Sequence, residues 1–176
     1  MNHRYPIISI VLHWATAILI VALFIIGWTM VDLPRGAERS QTFALHKSLG
    51  LTVLLFSVFR VFARLRTATP EYGASLPRWK VRVARIVHAL FYVALFLQPL
   101  SGYMSSSFSG YKTKWFGIPL PHWGYRDLPL NEFFTDVHVA TSIILAVLIV
   151  LHAGGAATHL IAQDGVFSRM LPSRRK

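Results

Sequence analysis

Four long apolar runs divide the chain, and polar or charged segments close each of them. The first, Ile7 to Val31, has no charged residue across 25 positions. The second runs from about Phe43 to Phe59 and is closed by Arg60, Arg64 and Arg66; the third, Ile86 to Met104, carries Pro99 and Gly102 near its far end. The fourth lies between Asp136 and Gln163. A bilayer core ~30 Å thick needs about 20 helical residues, so each run is long enough to span it. The expected fold is an all-α membrane protein, a bundle of four transmembrane helices over residues 1–176 as a single domain, with spans at about 7–31, 43–63, 86–105 and 136–162. The first run is too long for a signal peptide core and is interrupted early by His13 and Trp14, so it reads as a retained span. Between the runs, Asp32 to Arg39 reads as a short loop and Thr67 to Arg85, with Pro70, Gly73 and Pro77, as a long basic one. The segment Ser105 to Asn131, holding Trp115, Phe116, Pro119, Pro121, Trp123 and Tyr125, reads as an aromatic cap at the head-group level.

Composition agrees: of 176 residues 54% are hydrophobic and 14% charged, with a mean hydropathy of +0.49, too apolar for an ordinary soluble domain. There is no cysteine, which excludes disulfides, zinc–thiolate sites, iron–sulfur clusters and thioether haem attachment. Any metal must be held by histidine. The net charge of +11 sits beside the apolar runs, where it serves orientation and contact with anionic lipid rather than nucleic acid. Twelve of the eighteen Lys and Arg fall on one side: Arg4, then Arg60, Arg64, Arg66, Arg78, Lys80, Arg82 and Arg85, then Arg169, Arg174, Arg175 and Lys176. The other side carries Arg35, Arg39, Lys47, Lys112, Lys114 and Arg126 against five acids. The positive-inside rule then puts both termini in the cytoplasm.

The histidines give the runs a chemical purpose. His138, His152 and His159 follow one another at intervals of 14 and 7, which on a helix turn through about 1400° and 700°, within ~40° of whole turns, so the three rings share one face. His138 and His152 lie about 21 Å apart along the axis, near opposite sides of the bilayer core. The alternation of the spans puts His13 on the cytoplasmic side and His46 on the outer side. The outer pair is then His46 with His138. On the inner side His13, His88, His152 and His159 are all available; His88 and His159 lie near the water boundary, and the deeper pair is His13 with His152. One imidazole from each of two facing helices is what a haem iron needs, with the flat ring between them, whereas zinc wants three or four ligands together. Stepping 14 residues from His13, His46 and His88 reaches Gly27, Arg60 and Gly102, so each helix offers one face at both depths. Gly27 and Gly50 suit the close approach of a macrocycle. Arg60 is a candidate propionate contact at the inner site and Lys47 at the outer.

Taken together, His13-Trp14, His46 to Gly50 followed by Arg60 and Arg64, His88 with Tyr92, Pro99 and Gly102, and His138 with His152, Ala156, His159, Asp164 and Arg169-Met170 resemble the bacterial di-haem cytochrome b561 family. More distantly the chain is similar to the cytochrome b subunits of nickel hydrogenases. The resemblance implies two b-type haems, on His13 with His152 and on His46 with His138, in the bacterial inner membrane. It implies electron exchange with ubiquinone near the cytoplasmic haem, with His88 and His159 as candidates for quinone contact or proton delivery. In one branch it implies oxidation of superoxide at the periplasmic haem. Two functions follow as expectations: an oxidoreductase linking a small periplasmic donor to quinone, or a haem-bearing anchor relaying electrons for a separate dehydrogenase or hydrogenase partner.

Overall fold

The computed structural model describes residues 4–67 and 76–172. His3, the Pro70 and Gly73 punctuation and the tail cations Arg174, Arg175 and Lys176 lie outside the described residues. Four helices carry the fold: α1 (Ile7–Asp32), α2 (Ala37–Arg66), α3 (Arg78–Phe108) and α4 (Leu128–Ala162). All four are long and apolar enough to cross a membrane. Each helix reaches past its apolar run. The segment expected as loop up to Arg85 is helical from Arg78, because Pro77 supplies an extended residue just before the first turn and Lys and Arg are good helix formers that continue the helix into water. Likewise α4 begins at Leu128, where the Asp127 side chain caps the Leu130 amide at 3.0 Å.

The interior mixes a few apolar chains with small and hydroxyl-bearing residues, while most of the large apolar ones face outward. Ser57, Thr16 and Ser107 are almost fully buried, while Ile18, Trp28, Val150 and Ile161 are exposed. Lipid is as apolar as leucine, so burying large chains gains little and close backbone approach gains more. The hydroxyls of Thr16, Ser57 and Thr141 donate to the carbonyl four residues back in their own helices, at 2.6, 2.8 and 2.7 Å, which removes the cost of burying them. Helix α3 packs most extensively on α4 and α1 on α2, with α2 and α3 joining the two halves.

One apolar cluster unites the bundle: Ile20, Val53, Ala94, Leu95, Leu145 and Leu148, flanked by Phe24 and Phe91. Ile20, Val53, Leu95 and Leu145 each stand seven residues from both members of the 14-residue pairs His13/Gly27, His46/Arg60, His88/Gly102 and His138/His152. Seven residues are about two turns, so these four chains point inward on the histidine face, about 10 Å from either level. The core is therefore a dry layer between two polar levels.

On the Phe108 side, the aromatic segment folds as a small antiparallel hairpin of β1 (Lys114–Trp115) and β2 (Ile118–Pro119). Its two-residue turn, Phe116 and Gly117, has φ of 45° and 91°, the left-handed pair that a tight hairpin requires. It docks on α2: the Trp115 indole donates to Thr52 Oγ1 at 3.1 Å and the Phe116 amide to Ser48 Oγ at 3.0 Å. At the opposite end a 3-10 turn, Phe167–Met170, returns against α1, where the Trp14 indole donates to the Met170 carbonyl at 2.8 Å.

Candidate functional site

The structure brings histidines of different helices together at two levels. Near the hairpin, the rings of His46 on α2 and His138 on α4 have their centres 6.2 Å apart and their planes inclined by 76°. Two turns past the apolar layer, His13 on α1 and His152 on α4 are 6.0 Å apart and inclined by 65°. A third imidazole, His88 on α3, lies 5.4 Å from His152, as does the ring of Phe91. His88 thus stands beside the inner pair.

Arg60 projects to the same level. Its Nη2 donates to His13 Nδ1 at 3.3 Å, so a half-buried guanidinium stands beside the inner pair with no acidic partner among the described residues. Lys47 does not point at a histidine: its Nζ donates to Ser106 Oγ at 2.7 Å, and Thr113 Oγ1 donates to the same oxygen at 2.8 Å. The sequence singled out Lys47 from its place beside His46 but could not see this hydroxyl network, which the docked hairpin completes.

The glycines divide. A Cβ at Gly27 would lie 3.2 Å from His46 Cε1, and one at Gly102 would lie 2.9 Å from His138 Cε1, so each outer imidazole rests against a glycine of a third helix. Gly50 has no atom within 4 Å of such a Cβ. His138 is anchored by α3: its Nδ1 donates to the Gln98 carbonyl at 2.8 Å, and its Nε2 accepts from the Gln98 amide at 3.1 Å. His46 Nδ1 is buried with no hydrogen-bond partner among the described residues. Gln98 and Ser101 were not singled out in the sequence, though an amide inside the third apolar run was the signal that polar work is done there.

His159 stands apart from the inner pair. Its Nδ1 meets the Asp164 carboxylate at 2.6 Å near the end of α4, and its side chain borders a small cavity with Leu76, Lys80, Val81 and Ala84. The hydrogen bond from His159 holds Asp164 below the ordinary carboxylate value, outweighing its slight desolvation. A depressed carboxylate favours the contact above its unfolded value and gives it up as pH falls through the lowered one. The pair is therefore kept throughout the neutral and mildly acid range.

These residues fit a haem better than a bare ion. Among the described residues no group of three or more His, Cys, Asp or Glu is arranged to hold a metal, whereas two pairs face each other across the bundle. Metal–imidazole bonds of about 2 Å put the centres of two trans rings roughly 6 Å apart, close to the 6.0 and 6.2 Å found. The orphaned His46 nitrogen adds a buried atom in want of a partner. The backbone of α4 makes no approach to α1 or α2 comparable to its packing on α3, so paired imidazoles reach across a gap that a flat ring can fill.

Four membrane-length helices with opposed histidines at two levels fit a membrane cytochrome. Residues 4–173 match the family model described as prokaryotic cytochrome b561, and the chain belongs to that family. It is 26% identical over 179 residues to the probable superoxide oxidase CybB of Yersinia pestis, covering 99% of each chain. It is 29% identical to cytochrome b561 homolog 2 of Escherichia coli strain K12, over 96% of this chain and 91% of that one. With cytochrome b562 of Cereibacter sphaeroides it shares 27% over 97% of its length.

Proposed function

We propose that the protein is a di-haem cytochrome of the bacterial inner membrane that carries electrons from a periplasmic donor to ubiquinone near the cytoplasmic side, with both termini cytoplasmic. His46 and His138 hold the outer haem and His13 and His152 the inner one. The observation that carries this reading is the pair of ring separations, 6.2 and 6.0 Å, on either side of one apolar layer. A bound haem supplies reversible one-electron exchange at its iron. The chain's own residues do the rest. Ile20, Val53, Leu95 and Leu145 keep water out of the space between the two levels, so an electron crosses without a proton or ion following it. Arg60 offers its guanidinium to a propionate of the inner group, and Lys47 stands in the same relation to the outer one.

The donor reading rests on the name of the Yersinia relative, a probable superoxide oxidase. Two superoxide anions give up one electron each and leave as dioxygen; ubiquinone takes both electrons and two protons and leaves as ubiquinol. The protons come from the cytoplasmic side. His159, linked to Asp164 at 2.6 Å, is the group that hands one to the quinone oxygen as negative charge develops there. His88, beside His152, is the second candidate for quinone contact.

An enzymatic source of superoxide added to the purified oxidised protein is expected to reduce its haem, and a ubiquinone analogue to reoxidise it. Quinone that leaves the haem reduced, together with a copurifying dehydrogenase or hydrogenase, would replace this reading with the relay. His159→Ala is expected to slow reoxidation by quinone by about a hundredfold while both haem spectra stay intact. Asp164→Asn should slow it less, since the imidazole remains. Unchanged rates in His159→Ala and in His88→Ala would remove both from the quinone site.

A further inference from the structure

The two imidazoles of the outer pair are held differently. His138 is fixed by one turn of α3. Pro99, inside that helix, has no N–H to give to the Leu95 carbonyl four residues back. The Gln98 carbonyl, whose amide bond is to that proline, accepts His138 Nδ1 at 2.8 Å and Ser101 Oγ at 2.9 Å. Ser101 Oγ also lies 3.4 Å from Nδ1. Gly102 completes the turn, since a Cβ there would meet Nδ1 at 3.0 Å and Cε1 at 2.9 Å. The Gln98 side-chain amide donates to the other nitrogen, Nε2, at 3.1 Å. These partners together assign the proton to Nδ1 and the lone pair to Nε2. His46 has no such anchor, its buried Nδ1 being without a partner among the described residues.

We infer that the Gln98–Gly102 turn is a positioning clamp that makes His138 the stronger electron donor of the outer pair and so lowers the potential of the outer haem. The inference rests on the assignment of His46 and His138 to that haem. A ring whose distal N–H bonds a carbonyl is more basic toward its metal and fixed in orientation. A more basic axial ligand favours ferric over ferrous iron, so electrons arriving at the outer level are passed on rather than retained. Gly102 serves this by leaving room for the ring.

The test is a spectroelectrochemical titration of the purified holoprotein, with both midpoints and the low-spin electron paramagnetic resonance signals recorded. Gly102→Ala drives a methyl into the ring and is expected to displace it from the carbonyl. The ferric/ferrous ratio of the outer haem at a fixed poise should fall about tenfold, which is a midpoint raised by ~59 mV for a one-electron couple, with the inner midpoint unmoved. Ser101→Ala, which removes a competitor for the carbonyl, should lower the outer midpoint. Gly36→Ala, in open space at the start of α2, should move neither. Wild-type protein with a single haem would overturn the ligand assignment. Two haems with the outer midpoint unmoved in Ser101→Ala, or with both midpoints shifted equally, would overturn the clamp alone, and this variant decides the matter if Gly102→Ala fails to hold its haem.

Discussion

Replacing His138 by alanine is expected to leave a protein with one haem in place of two, about half the α-band absorbance on reduction, and the inner signal unchanged. His46→Ala should give the same result, because the outer haem would take one imidazole from α2 and one from α4 and, among the described residues, neither ring has a substitute within reach at that level. The apolar layer of Ile20, Val53, Leu95 and Leu145 separates the levels, so loss at one does not open the other to water. His138→Met keeps a ligand and should retain the haem with a raised potential, as replacement of one imidazole by a thioether does. That variant distinguishes a lost ligand from a collapsed bundle. Normal haem content in both His46→Ala and His138→Ala would be incompatible with the outer pair.

At the inner level the expected effect is as large but the geometry is more crowded. His13→Ala and His152→Ala should each remove the inner haem and leave the outer one. His88 is the competitor, its ring centre 5.4 Å from His152 against 6.0 Å for His13. The trans separation and the Arg60 contact of His13 favour His13 as the second ligand, so His88→Ala should keep two haems. An inner haem lost from His88→Ala and kept in His13→Ala would exchange their roles. Absorbance and haem content of the three purified variants decide this.

The histidine register was legible in the sequence because 14 residues are close to four helical turns, and a spacing that holds one face over ~21 Å survives any packing of the helices. The facing of Gly27 to His46 and of Gly102 to His138 follows from the same arithmetic, although the sequence suggested a macrocycle rather than an imidazole as the neighbour of Gly27. The dry layer was implicit in that register but hidden, since Ile20, Val53, Leu95 and Leu145 look like every other apolar residue in their runs. Depth along one helix is local information. The nearness of His88 to His152 depends on how α3 leans on α4, which no single run encodes. The hydroxyl partner of Lys47 was illegible for the same reason: Ser106 is 59 residues away and is brought there by helix packing. The helix ends were missed because hydropathy reports where lipid stops, while α3 continues through Arg78 to Arg85 on backbone hydrogen bonds that need no lipid.

The most direct measurement of the central claim is the haem content per chain of the detergent-purified protein, taken with its visible spectrum before and after dithionite. Two non-covalent b-type haems per chain, both low-spin because imidazole fills both axial positions of each iron, are the predicted result. A count of one, or a high-spin spectrum with an open axial position in the wild-type protein, would contradict it.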